Sequence, residues 1–370
     1  MKQNSREWLK SSLGIGGLIL APSTFLNANE EKNFNQRKYN LPIKLSSNEN
    51  PYGPSKRVLE RVKKSFEYGC RYPYSYADDL SIILARKHSV DPESIIITGG
   101  STEGLRITGV TFSRGGGEII AAKPTFLALT DYAQKWGATV NWVPVTNDMG
   151  YDLDEIEKRI SKKTKLVFLC NPNNPTGTLV PKEKLNDFCS IVSKDTVLFS
   201  DEAYYEFIEQ QDYPSMINLV KQGLNVVVSK TFSKVYGMAG LRIGYLIAKP
   251  ELAKKIRENI VAMSNVLAIE GAKEALVDKE FFNFSINKTN EAKESIYETL
   301  DHLGLRYVRS HTNFIFFKSG IDIRKLGPTM LEKGVRIGRP FPPFYDWCRI
   351  SCGTSQEVNR FITSILEVYG

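Results

Sequence analysis

The sequence predicts an α/β protein in which helices sandwich a large, mostly parallel sheet and a smaller α+β domain adjoins it. From residue 41 onward, short apolar runs alternate with segments of helical periodicity, the pattern of strands joined by crossover helices. The chain has 370 residues, which is long for one core and suits a large domain plus a smaller one. No internal repeat or low-complexity linker interrupts this pattern.

The strand candidates of the large sheet are residues 94–97, 118–122, 139–145, 165–170, 196–200, 224–229 and 241–248. The clearest helix candidates between them are the segment from 101 and the segments 152–160 and 181–193. After about residue 250 the pattern predicts helices at 250–263 and 266–303, strands at 313–317 and 348–351, and a final helix from about 355. We therefore expect a large domain at 70–265 and a smaller domain formed by 29–69 and 266–370.

Composition limits the classes of function. Hydrophobic residues make up 42% and charged residues 24%, as in soluble enzymes. The net charge of +8 favours anionic ligands, but the basic residues are scattered and no nucleic-acid-binding motif occurs, so we expect no nucleic-acid partner. The five cysteines form no CxxC pair and the three histidines lack ligand spacing, so we expect no metal site.

The first 28 residues resemble a signal peptide. A basic start precedes the short apolar run Leu13–Leu20, which is too short to span a bilayer. Residues 4–10 are similar to a twin-arginine export motif in which Ser5 replaces the first arginine. We expect this segment to be removed on export, leaving a periplasmic protein with no membrane contact. The alternative is an extension of a cytoplasmic enzyme.

Four motifs follow strand candidates, at the edge where open α/β sheets bind ligands. Gly99–Glu103 is a strand-to-helix turn whose free N–H groups suit a phosphate, although such a turn is often only a turn. Asn171–Gly177 is a loop with two prolines, either a rigid turn or a means of presenting an asparagine amide. Asp201–Tyr204 begins with a carboxylate that could equally be a helix cap.

The fourth motif is Ser229–Lys234, with Arg242 eight residues further on. A lysine flanked by hydroxyl residues could lie on the surface. A lysine held in a site beside a cation instead has a lowered pKa and acts as an amine nucleophile.

Taken together, the motifs are specific, and the sequence resembles the fold-type I aminotransferases, which use pyridoxal 5'-phosphate, and most closely the histidinol-phosphate aminotransferases. The resemblance covers residues 41 to 370 and includes the segments Ser46–Pro54, Arg71–Pro73, Leu241–Gly244 and Arg349–Thr354. It implies the fold-type I transferase architecture and a homodimer with shared active sites.

The resemblance also implies roles for the residues that face the cofactor ring. Lys234 would form a Schiff base with the cofactor aldehyde. Asp201 would pair with the protonated ring nitrogen, which keeps the ring able to accept electrons. Tyr204 and Asn174 would hydrogen-bond the phenolic oxygen, and Phe126 would stack on the ring.

Further residues would bind the phosphate and the substrate. The resemblance places around the phosphate Ser101, Thr102, Thr231, Ser233, Arg242 and, from the partner subunit, Tyr72. Arg349 would bind the α-carboxylate of the substrate, with Asn174 and Tyr52 as further substrate contacts.

The implied reaction is transamination between an amino acid, histidinol-phosphate-like or aromatic, and a 2-oxo acid. Lys234 would move the Cα proton during the reaction. A decarboxylase similar to threonine-phosphate decarboxylase and a β-lyase are the enzymatic alternatives, since they share these motifs. A non-catalytic sensor that binds the cofactor is an alternative from another class; such regulators carry a DNA-binding domain, for which residues 1–40 are too short.

Overall fold

The computed structural model of the protein describes residues 42–370. The segment 1–28, with its predicted export signal, lies outside the described residues, and its removal and the periplasmic location stay predictions. Within residues 42–370, no helix combines the length and the apolar character needed to cross a membrane.

Strands and helices of the described residues are numbered separately in chain order. The strands are β1 (Ile43–Lys44), β2 (Ile95–Thr98), β3 (Glu118–Lys123), β4 (Thr139–Pro144), β5 (Thr164–Cys170), β6 (Val197–Asp201), β7 (Val226–Thr231), β8 (Gly244–Ala248), β9 (Tyr307–Val308), β10 (Phe314–Lys318), β11 (Val335–Arg336) and β12 (Trp347–Ser351). The helices are α1 (Lys56–Lys64), α2 (Tyr74–His88), α3 (Ser101–Ser113), α4 (Ala128–Lys135), α5 (Leu153–Arg159), α6 (Lys182–Val192), α7 (Ile217–Lys221), α8 (Pro250–Arg257), α9 (Val266–Val277), α10 (Lys279–His302), α11 (Ile323–Glu332) and α12 (Ser355–Tyr369).

A seven-stranded sheet lies at the centre of the large core. Its strand order is β2-β8-β7-β6-β5-β3-β4, and β8 pairs antiparallel with both of its neighbours while the other pairs are parallel. The predicted α/β class with a mostly parallel sheet is confirmed.

Strand β5 shows how the sheet is buried on both faces. Leu166, Phe168 and Cys170 pack in one hydrophobic cluster, whereas Val167 and Leu169 pack in another. Successive side chains of a strand point to opposite faces, so one apolar run supplies both layers. This explains why the strands of the sheet appear in the sequence as continuous apolar runs.

A second core contains residues from both ends of the described chain. It joins Leu45 to buried residues of β10, α10, α11, β12 and α12, and its strands are the three-stranded sheet β12-β10-β9 and the pair β1-β11. Helix α9 instead contributes Ala268, Ile269 and Ala272 to a core cluster of the large sheet. Residues Ile43–Gly370 form one compact unit, and the domain boundaries expected from the sequence stay predictions.

Three expected elements differ in extent. The long helix expected at 266–303 is two helices, because the Asp278 side chain accepts a hydrogen bond from the Phe281 N–H at 3.1 Å and caps the start of α10. The helix expected at 250–263 ends at Arg257. The strand expected at 241–248 begins at Gly244, since Arg242 has a left-handed backbone with φ 58°.

The sheet brings the motifs together because β2, β3, β5, β6 and β7 run in the same direction, which places their carboxyl ends at one edge. Gly244 starts the antiparallel β8 at that same edge, opposite Thr98 and Thr231. A Cβ on Gly244 would lie 2.8 Å from the Ser101 nitrogen and 2.9 Å from the Lys230 oxygen. The close approach of α3 to the sheet therefore requires glycine at this position.

We predict that Gly244→Ala destabilises the protein by about 1–3 kcal/mol, because the new methyl group meets backbone atoms that cannot rotate away. Thermal or urea unfolding measures the change. Gly327→Ala is the matched control: Gly327 lies within α11, and among the described residues a Cβ added there would meet no atom within 4 Å apart from its chain neighbours and its own helix backbone. We expect the control to unfold at the same midpoint or higher, and equal unfolding midpoints for wild type and Gly244→Ala would contradict the prediction.

Candidate active site

A cavity of about 710 Å³ opens at the carboxyl edge of the large sheet. The residues proposed from the sequence that line it are Ser101, Thr102, Phe126, Asn174, Asp201, Tyr204, Ser233, Lys234, Arg242 and Arg349. They come from segments spread over about 250 positions of the chain. The sheet thus gathers at one place most of the residues that the motifs singled out.

Lys234 follows β7 and carries the nucleophile candidate. Its amine donates hydrogen bonds to the backbone oxygens of Asn48 at 2.9 Å and Ser47 at 3.5 Å. Desolvation in the cavity and the nearby Arg349 guanidinium lower the pKa of Lys234 to about 8. A much larger fraction of this amine is therefore neutral near pH 7 to 8 than for an exposed lysine, and the neutral form is the nucleophile.

Asp201 ends β6 with a carboxyl group cut off from water. The residue is 2% exposed, and burial raises its pKa to about 6. The Cys170 thiol lies 3.9 Å from one carboxylate oxygen. The other oxygen, Oδ1, is buried and has no hydrogen bond of good geometry among residues 42–370, although the Ser229 hydroxyl and the Ala203 N–H lie close enough to this carboxyl to oppose part of the rise in its pKa. A buried, unpaired acceptor is costly, so this atom fits a ligand that brings a cationic N–H donor.

Tyr204 lies beside the Lys234 amine, which is 5.4 Å from the centre of the tyrosine ring. The phenol oxygen accepts hydrogen bonds from Asn48 Nδ2 at 3.0 Å and Asn174 Nδ2 at 3.5 Å. Burial raises the pKa of Tyr204, so the side chain stays a neutral phenol over the working range of pH.

Helix α3, Arg242 and Ser233 form an anion cradle. The helix starts at Ser101 after Gly100, whose φ is 89° and whose missing Cβ leaves room for the Arg242 guanidinium. That guanidinium donates to the Ala239 oxygen at 2.8 Å and the Gly99 oxygen at 3.2 Å, and lies 3.5 Å from Ser233 Oγ. Free N–H groups of a helix start, a fixed cation and hydroxyls are the usual partners of a phosphate.

Arg349 lies on β12 and lines the same cavity as this cradle. It is 7% exposed, and burial lowers its pKa to about 10, which leaves it cationic at neutral pH. Its guanidinium donates to Asn174 Oδ1 and to the Ser46 oxygen, both at 2.6 Å, and packs on the ring of Phe341 at 4.9 Å. A cation held this firmly is suited to a carboxylate.

Three proposed residues do not line the cavity. Thr231 is buried at the end of β7, where its Oγ1 accepts a hydrogen bond from the Ser233 N–H at 3.1 Å. Tyr52 packs edge-on against Phe284, with ring centres 5.0 Å apart. Tyr72 is 81% exposed. Their expected contacts with cofactor or substrate stay predictions.

Several residues that line the cavity were not expected there from the sequence, chiefly Asn48, Glu49, Arg336 and Arg339. Asn48 belongs to the segment Ser46–Pro54, which supports the family resemblance, but nothing in its local sequence indicates which atoms it contacts. The two arginines could have been suspected from their position shortly before the closing motif at Arg349.

The donor set fits pyridoxal 5'-phosphate. The unpaired Oδ1 of Asp201 suits the N–H of a protonated pyridine ring, and the cradle at Arg242 suits a phosphate. The Lys234 amine suits the aldehyde. These three groups lie around one cavity, as the three functional parts of this cofactor require.

Comparison with known proteins identifies the family. The family model for aminotransferase class I and II matches residues 42–365. Histidinol-phosphate aminotransferase of Moorella thermoacetica is 37% identical over 88% of this chain and 85% of its own. The corresponding protein of Bacillus cytotoxicus is 36% identical over 90% of each chain.

A solved structure agrees with these sequence matches. Histidinol-phosphate aminotransferase from Sinorhizobium meliloti, in complex with pyridoxal 5'-phosphate, superposes with a TM-score of 0.83 and 25% identity, covering 95% of this chain and 98% of the other. The predicted fold, cofactor and enzyme class are confirmed, and transamination is favoured over the decarboxylase and β-lyase alternatives. The chain belongs to the aminotransferase class I and II family and is a pyridoxal-phosphate-dependent transaminase.

Proposed function

We propose that the enzyme moves an amino group from a phosphate-bearing amine of the histidinol phosphate type to a 2-oxo acid. The observation that carries this proposal is a pair of further cations on the cavity wall, Arg336 and Arg339. The Arg339 guanidinium lies over the Phe341 ring at 4.4 Å, and Arg349 lies near the same ring at 4.9 Å. The cavity thus offers cations for a second anionic group besides the cofactor phosphate. The names of the Moorella and Bacillus relatives agree with this donor.

The bound cofactor supplies an aromatic ring that accepts the electrons released when the Cα–H bond of the substrate breaks. Asp201 keeps the ring nitrogen protonated, because its unpaired oxygen is a buried acceptor that favours a cationic donor. Lys234 would hold the cofactor aldehyde, and its amine, when free, would take and return the Cα proton of the substrate. Tyr204 and Asn174 bind the phenolic oxygen.

The remaining residues hold the reactants in place. The cradle of Ser101, Thr102, Ser233 and Arg242 anchors the phosphate, and Thr231 supports it by accepting the Ser233 N–H. Phe126 lines the cavity where it can cover the cofactor ring. Arg349 binds the carboxylate of the 2-oxo acid, for which its guanidinium exchanges the Ser46 oxygen.

We also propose that the enzyme acts as a homodimer in which Tyr72 reaches the phosphate of the partner subunit. Exposure supports this: the Tyr72 side chain is 81% exposed and neighbours Tyr74, which is 63% exposed. Large aromatic side chains exposed together are typical of protein interfaces. Tyr52, half-buried against Phe284, is placed near the substrate only by the family resemblance.

Single variants can distinguish the site for the donor phosphate, at Arg339, from the site for the carboxylate, at Arg349. We predict that Arg339→Leu raises the KM for histidinol phosphate about tenfold or more and changes the KM for the 2-oxo acid less, because one charged hydrogen-bonding partner is lost. Arg349→Lys should raise the KM for the 2-oxo acid more than the KM for histidinol phosphate, because lysine cannot make the paired contact with a carboxylate. Each half-reaction is followed by the cofactor spectrum, with a panel of unphosphorylated amino acids as comparison donors.

Exposed Arg324 is the control for removal of a surface arginine: it forms an ion pair with neighbouring Asp322, outside the cavity, and Arg324→Leu should leave both KM values unchanged. If wild-type enzyme reacts with aromatic amino acids but not with histidinol phosphate, the phosphate-bearing donor is wrong. If Arg339→Leu alters no KM, the assignment of the second anion site is wrong.

The shared active site predicts complementation between inactive subunits. Lys234→Ala lacks the amine, and Tyr72→Ala lacks the cross-subunit contact, so mixed dimers contain one site with neither defect. We expect refolded mixtures to recover up to about a quarter of wild-type activity, while each variant alone stays far below it. A fully active monomer in analytical ultracentrifugation would overturn this proposal.

A further inference from the structure

Asn48 and Ser351 form a buried polar pair that contacts Tyr204 through Asn48. Asn48 is 1% exposed and Ser351 is 2% exposed, although 303 positions separate them in the chain. Asn48 has a left-handed backbone with φ 54°, a conformation that few side chains other than asparagine adopt. Buried polar groups in an unusual backbone conformation are retained where the surrounding contacts fix them.

The contacts at Ser351 determine which way the Asn48 amide faces. Ser351 Oγ accepts the backbone N–H of Asn48 at 2.8 Å, so its own hydroxyl proton is available to donate. It donates to Asn48 Oδ1, also at 2.8 Å. With its oxygen engaged in this way, the amide presents its NH₂ group to the Tyr204 hydroxyl at 3.0 Å.

The Asn174 amide is also oriented by a hydrogen bond to its oxygen, here from Arg349. Arg349 Nη1 has only protons to donate, and it donates to Asn174 Oδ1 at 2.6 Å. The NH₂ group of Asn174 therefore faces the Tyr204 oxygen, 3.5 Å away. Both amides offer protons to one phenol oxygen, and neither offers it an acceptor.

A phenol whose oxygen accepts two N–H groups must direct its own proton elsewhere. Tyr204 lines the cavity next to Lys234, so the open direction for that proton is the cavity. We infer that Asn48 and Ser351 are positioning residues that fix Tyr204 as a hydrogen-bond donor towards the phenolic oxygen of the cofactor. This inference rests on the proposed placement of Tyr204 beside that oxygen.

The backbone of Asn48 contacts a further reactive group of the cavity, the Lys234 amine. Its carbonyl oxygen accepts hydrogen bonds from Lys234 Nζ at 2.9 Å and from Asn313 Nδ2 at 3.1 Å. Its side chain and its carbonyl therefore serve different groups, Tyr204 and Lys234. Glycine at position 48 would keep the left-handed backbone and the carbonyl while removing only the side chain.

The test is a double-mutant cycle on the cofactor-loaded enzyme, with the visible absorption band titrated against pH. A hydrogen bond donated to the phenolic oxygen stabilises its anionic form, so losing that bond moves the transition of the band to higher pH. We expect Tyr204→Phe to raise the midpoint by about one unit, a tenfold change in proton affinity, and Asn48→Gly to raise it by about half a unit. In the Tyr204→Phe background, Asn48→Gly should add no shift.

Ser351→Ala probes the pair without touching the backbone at position 48 and should shift the midpoint in the same direction as Asn48→Gly. Ser193→Ala is its control, since Ser193 is fully buried directly after α6, donates to the Cys189 oxygen at 2.6 Å and does not line the cavity. We expect this control to keep the wild-type midpoint. Thermal unfolding of every variant separates loss of stability from the spectral shift.

The possible results distinguish an error in the placement of Tyr204 from an error in the role assigned to Asn48 and Ser351. If Tyr204→Phe leaves the midpoint unchanged, the placement of Tyr204 in the proposed function is wrong. If Tyr204→Phe moves the midpoint but Asn48→Gly and Ser351→Ala do not, only the role of the pair is overturned. The role of the pair would also be overturned if Asn48→Gly shifted the pH midpoint equally in the wild-type and Tyr204→Phe backgrounds, because the effect would then not depend on the Tyr204 hydroxyl.

Discussion

The chemistry of the site follows from the exclusion of water at the carboxyl edge of the sheet. Burial shifts the pKa values of Lys234 and Asp201 in opposite directions, each towards its neutral form, because a charge is costly where water is excluded. The amine thereby becomes a better nucleophile. The carboxylate gains a strong preference for a cationic partner. Both properties follow from the same loss of solvent.

The side chains that face such a buried cavity are held in place by hydrogen bonds to neighbouring backbone and side-chain groups. Lys234 is bound by the Asn48 carbonyl, and Arg349 by Asn174 and the Ser46 carbonyl. Next to Asp201 along the chain, buried Glu202 pairs with buried Lys230 at 3.1 Å, so this second buried carboxylate has its own cationic partner. Lys234 and Arg349 are thus fixed before a ligand arrives, which reduces the reorganisation that the reaction requires.

The parts of the site carried by the large sheet could be predicted from the sequence. Apolar strands ending in turn residues fix where Asn174, Asp201 and Lys234 lie, because parallel neighbouring strands end at one edge. The position of Asp278 at a helix break was also visible in principle, since aspartate before a helical segment is a cap signal.

Contacts between distant segments could not be predicted in this way. The bonds of Asn48 to Tyr204 and Ser351 span 156 and 303 positions, and only the packing of the second core brings those segments together. Arg336 and Arg339 lie in and after a two-residue strand, too short for a periodicity signal. The family resemblance supplied roles for Tyr52 and Tyr72 that the described chain does not place at the cavity.

Every role assigned to the cavity requires that Lys234 holds pyridoxal 5'-phosphate. The most direct test of this requirement is to treat the cofactor-loaded enzyme with sodium borohydride, which makes the link between amine and aldehyde permanent, and then to map the modified lysine by mass spectrometry of a digest. We expect to find the reduced cofactor on Lys234 alone. Attachment to another lysine, such as the neighbouring Lys230, or the absence of any covalent adduct would contradict it.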